Sequence, residues 1–140
     1  MMRSPIRLGL LLAVAACRPT PAPDPNALEP VARRYVVLGL DLGRHDANYV
    51  DAYYGPDSLK AESEAESLSV AEIRASAESL NAVLGDSVPA YRDSVVAMRH
   101  RYLRVQLGSM AARARMLGGE RLSFDEEAQA LYDVKPPRLE

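Results

Sequence analysis

Between Pro89 and Leu117 the apolar residues fall on two adjacent helical stripes. Val96, Leu103, Leu107, Met110, Ala114 and Leu117 form one, and Tyr91, Val95, Met98, Tyr102 and Val105 form the other. At about 100° per residue the two stripes together cover more than half of a helix circumference. A helix so broadly apolar needs neighbours on two sides. The pattern therefore predicts a long central helix over 89–117, with Pro89 at its first position.

The flanking segments carry the same period. Val31, Tyr35, Leu38 and Leu42 mark one face of a helix over 28–42, widened by Val36, Val37 and Leu40, and Gly43 suits the position just past its end. Asp46 is the expected N-cap of a short helix carrying Tyr49, Val50, Tyr53 and Tyr54, stopped by Gly55-Pro56. An acidic helix with Glu62, Glu64 and Glu66 follows from Asp57 or Ser58. It breaks before Ser69, because Ser69-Val70-Ala71-Glu72 has the form of a capping box. Ile73, Ala77, Leu80 and Leu84 then mark a helix that ends at Gly85. After Gly118-Gly119 a second capping box, Ser123 to Glu126, opens a helix with Phe124, Ala128, Leu131 and Tyr132 that Pro136-Pro137 closes. No stretch alternates with period two, and no repeat occurs. The expected fold is all-α, an irregular bundle of about five helices around the central one, over residues 31–135 with 136–140 as a tail.

The first thirty residues break this pattern. Arg3 and Arg7 precede an apolar run from Leu8 to Ala16, whose nine residues would reach only about 14 Å as a helix, too short to span a bilayer. Residues 1–16 are thus expected to be a secretory signal peptide. Its end, Val14-Ala15-Ala16-Cys17, resembles the bacterial lipobox, which implies that Cys17 is lipidated and anchors the chain to a membrane. By the rule attached to that motif, Asp after the cysteine retains a lipoprotein at the inner membrane. Arg18 therefore points to the outer membrane, facing the periplasm, in a Gram-negative cell, and otherwise to the outer face of the cell membrane. Residues 17–30 hold five of the ten prolines, Pro19, Pro21, Pro23, Pro25 and Pro30, and are expected to be an extended linker rather than a ligand for a proline-binding domain.

Composition narrows the chemistry. A net charge of −2 offers no footprint for nucleic acid. The single cysteine excludes an internal disulfide and a cysteine-based zinc knuckle. His45 is expected in a loop and His100 at the exposed edge of the polar arc, so neither suggests a metal site. Arg92 and Arg99, one heptad apart, project onto the apolar arc of the central helix. They call for carboxylate partners, with Asp41, Asp51 and Asp125 as candidates, or form an anion site. Tyr49, Tyr53 and Tyr54 with Asp51 are candidate cleft-lining residues, although tyrosines also pack their rings inside and leave the hydroxyls wet. Asp125, Glu126 and Glu127 stand in a first helical turn, where the helix dipole favours them. No Ser-His-Asp set, phosphate loop or His-Glu-x-x-His motif occurs. The chain is expected to hold no catalytic residue, metal ligand or cofactor of its own.

Two segments add a resemblance. They are Tyr35-Val36-Val37-Leu38-Gly39-Leu40 leading to His45-Asp46-Ala47-Asn48-Tyr49-Val50-Asp51-Ala52-Tyr53-Tyr54-Gly55-Pro56, and Ala111-Ala112-Arg113-Ala114-Arg115-Met116-Leu117 leading to Leu122-Ser123-Phe124-Asp125-Glu126-Glu127-Ala128. Together they resemble the amino-terminal helical region of a bacterial family of larger proteins, itself similar to helical zinc peptidases. The zinc motif of that family, His-Glu-x-x-Pro-Gly-His-His, lies far downstream of the matching region and is absent here. The resemblance implies the truncated amino-terminal helical module of a larger envelope metallopeptidase-like protein, and the abrupt end after Pro136-Pro137 fits truncation. The alternative is a complete small envelope lipoprotein that acts as a binding or structural module through an exposed apolar helix face. The partners implied are the membrane at Cys17 and either a missing carboxy-terminal region or a protein on the central helix face.

Overall fold

Three of the helices begin where a side chain takes up a free amide of the first turn. Ser69 accepts from the Glu72 N–H and Ser123 from the Glu126 N–H, each inside a complete capping box, and Asp93 accepts from the Val95 N–H at 2.8 Å. The computed structural model describes residues 23–137. The expected signal peptide, Cys17 and the expected linker as far as residue 22, together with residues 138–140, lie outside the described residues. A 3-10 turn, Pro25–Ala27, leads into α1 (Leu28–His45), followed by α2 (Asp57–Glu66), α3 (Val70–Leu84), α4 (Ser94–Leu117) and α5 (Phe124–Tyr132). The described residues contain no strand, and the protein is an all-α bundle.

The core forms where α1, α3 and α4 meet. Leu38 and Leu42 from α1, Ile73 and Ala77 from α3, and Leu103, Leu107 and Met110 from α4 are all buried there. α3 and α4 pack antiparallel over most of their length, and α1 lies against both. The acidic α2 flanks α1 through charge: Glu62 pairs with Arg33, and Glu66 with Arg34 at 2.6 Å. Deeper in the same interface the buried Asp41 pairs with Arg44, which also donates to the Ser63 carbonyl at 2.9 Å. α5 lies antiparallel along the far side of α4, where the Ser109 hydroxyl donates to the Leu131 carbonyl at 3.0 Å.

Four expectations are corrected. Gly43 does not end α1, which runs on to His45. A Cβ at Gly43 would meet Val50 at 3.2 Å, so this glycine makes room for the following loop. No helix forms over 46–54. Asp46 caps the C-terminus of α1 instead, and its carboxylate takes the Asn48 N–H at 3.2 Å, which folds the chain into a turn. The central helix starts at Ser94 and not at Pro89, because the Tyr91 N–H turns back to the Pro89 carbonyl at 2.8 Å and Asp93 is the better cap. The histidines also move. His45 closes α1 and bonds the Leu68 carbonyl, while His100 is only 1% exposed. The His100 Nε2–H donates to the Leu84 carbonyl at 3.0 Å, and its ring meets Tyr91 edge-on at 5.7 Å.

Candidate functional site

α1 and α4 run side by side in the same direction, and a polar seam marks their contact. Near the starts of the two helices Arg99 pairs with Glu29 at 2.8 Å. Midway, the Tyr35 hydroxyl faces Gln106 at a long 3.4 Å. At the far end the Arg113 Nε donates to Asp46 at 2.7 Å. On α4 the three positions are a heptad apart, continuing the spacing from Arg92 to Arg99. Neither arginine meets Asp41, Asp51 or Asp125. Arg92 precedes the helix and faces Pro23, Asp24 and Pro25 across a shallow depression.

The seam opens into a notch of about 300 Å³ where α1 ends and α5 crosses α4. Asp46, Asn48 and Tyr49 form one wall, Ser109 and Arg113 the floor, and Glu127, Leu131 and Tyr132 the other wall. The hydrogen bond from Arg113 holds the Asp46 carboxyl below its ordinary pKa, helped by the Asn48 N–H and the Arg113 charge and opposed by burial. Burial pushes the Tyr49 hydroxyl up, and nearby Tyr102 and Asp46 add to that shift. Tyr35 is raised for the same first reason, with Tyr102 and Tyr49 beside it. Tyr35 and Tyr49 thus stay protonated and able to donate along the seam that leads to the Asp46–Arg113 pair, with Tyr102 near both.

Of the predicted cleft residues, only Tyr49 lines this notch. Tyr53 turns its hydroxyl to the Pro56 carbonyl at 3.0 Å, Tyr54 stands in solvent, and Asp51 is exposed. Extending the Arg92–Arg99 heptad by two steps would have found Gln106 and Arg113. The notch can hold a small hydrogen-bonding group, but its charge is balanced within the pair, leaving Glu127 in excess, so it does not favour an anion. Ser109 gives its proton to a main-chain carbonyl and not to a base, so it is not set up as a nucleophile.

The second apolar stripe of α4 has two fates. Its C-terminal continuation, through Ser109 and Ala112, lies under α5. Its N-terminal half is bare, with Val95 61%, Met98 66% and Tyr102 55% exposed. α5 itself has no buried residue, and Phe124 and Tyr132 at its ends are 77% and 71% exposed. Among the described residues, no three His, Cys, Asp or Glu side chains are placed to hold a metal ion, and no helix is long and apolar enough to cross a membrane. Comparison with family models, with curated proteins and with solved structures finds no match for this chain.

Proposed function

We propose that this chain is a secreted, lipid-anchored helical module of the bacterial cell envelope, the amino-terminal part of a larger metallopeptidase-like protein. In this reading it serves as scaffold and carries no catalytic site of its own. The observation that supports it is α5. A nine-residue helix with no buried residue, bearing the single Phe of the chain in solvent, is a layer waiting to be covered. Ala128 and Leu131 are half-buried, while Phe124, Tyr132 and Val134 face outward. A further helical segment of the same protein is the occupant that fits, since a helix already covers the neighbouring half of α4 in the same way. The address rests on the positive start, the short apolar run and Val14-Ala15-Ala16-Cys17.

The anchoring half of the proposal has a direct test. Native protein should partition with membranes and carry acyl chains on Cys17, and Cys17→Ser should leave it soluble in the periplasm or medium. Persistent membrane association of the Cys17→Ser protein would contradict lipid anchoring.

A further inference from the structure

The tether and the bare half of α4 meet at one end of the bundle. Pro23 and Pro25 line a depression with Tyr91, Arg92 and Val96 at the start of α4. Cys17 lies six residues before Pro23, and six residues fully extended span at most about 20 Å. Helical rise sets Met98 about 6 Å and Tyr102 about 12 Å along the axis from Ser94. The exposed apolar side chains therefore stand at the end of the molecule that a fixed Cys17 would hold against a surface.

We infer that Val95, Met98 and Tyr102, rimmed by Arg92 and Arg101, rest in the headgroup layer of the bilayer to which Cys17 is attached. This inference depends on the anchoring reading above and adds an orientation to it. Val, Met and a tyrosine ring suit the boundary between acyl chains and headgroups. The arginine heads can stay among the phosphates, while Tyr102 offers the exposed side of its ring and keeps its hydroxyl toward Tyr35. Asp24 and Asp93 sit at the same end beside Arg92, so apolar contact and not net charge carries the association. Raising the salt concentration should leave it largely intact. A patch of this size would hold a free protein weakly, but a short tether supplies an effective concentration in the millimolar range.

The test uses the acylated protein reconstituted into phosphatidylethanolamine–phosphatidylglycerol vesicles, with a polarity-sensitive fluorophore on Met98→Cys. Arg121→Cys, exposed beyond the opposite end of α4, carries the same fluorophore as the reference. Both positions are on the surface, so the fold should tolerate the change, and unchanged helicity checks this. Lipid spin-labelled at the headgroup should quench the probe at 98 at least about twofold more than the probe at 121. Equal quenching with Cys17 acylated would overturn the orientation and leave the anchor standing. A probe at 98 shielded from water yet untouched by the lipid quencher would mean that protein covers the face, and would also overturn it. Native membrane-bound protein whose Cys17 carries no acyl group would overturn anchor and orientation together.

Discussion

His100 is a buried base that tolerates neutrality and resists charge. Burial pushes its pKa below the ordinary value, and the nearby Arg104 charge adds to the shift. Its Nε2–H is committed to the Leu84 carbonyl, and Nδ1 is buried without a protein partner, so the folded form is the neutral tautomer. In the unfolded chain the imidazole titrates near about 6.5. Below that pH the unfolded chain takes up a proton that the folded chain refuses, and stability falls at up to about 1.4 kcal/mol per pH unit. Thermal melts should show the midpoint dropping between about pH 7 and pH 5.5, with a flatter profile for His100→Gln. Parallel profiles for the two proteins would contradict this. The Asp46 carboxylate acts in another window. Held below its ordinary value, it contributes stability above the usual carboxylate range that is lost as pH falls through its folded pKa. Neither role was legible in the sequence. A helical projection puts His100 at the edge of the polar arc, and cannot show that the last carbonyl of α3 ends beside it.

Helix starts were the most legible elements, because a cap is local chemistry. Ser69 with Glu72 and Ser123 with Glu126 mark their helices within four residues of sequence. Glycine is more ambiguous, since Gly43 serves close packing and not termination. The tyrosine-rich stretch after Asp46 has helical spacing, but the Asp46 side chain is engaged by Asn48 and Arg113, and the segment runs as a loop. On α4 the first apolar stripe is core, and the second is covered by neighbours only in part. That contrast can be measured on one helix. Leu107→Ala, at a fully buried position, should destabilise the protein by about 2–5 kcal/mol, while Met98→Ala should stay within about 0.5 kcal/mol. Denaturant titration of the two variants is the check, and a comparable loss for Met98→Ala would mean that this face is covered. The polar seam was half legible. The Arg92–Arg99 spacing signalled it, yet the partners Glu29 and Asp46 depend on α1 running parallel to α4, which no local pattern encodes.

At the scale of the whole molecule, the features divide between two ends. One end gathers Pro23 and Pro25, the start of α4 and its bare apolar residues. The notch with Asp46, Arg113 and Tyr49 lies toward the other, beside an α5 that is only half packed. Class and core followed from apolar periodicity, since that pattern determines which faces must be buried. The notch did not, because it is assembled from residues 46 to 132 by the packing of three helices. Whether this chain is, as proposed, an anchored module of a larger envelope protein is decided by the intact mass of the native, membrane-extracted protein. An acylated species several times heavier than residues 17–140 is expected. A mass equal to those residues plus acyl chains would contradict it, and would leave a small binding lipoprotein in place of the metallopeptidase-like reading.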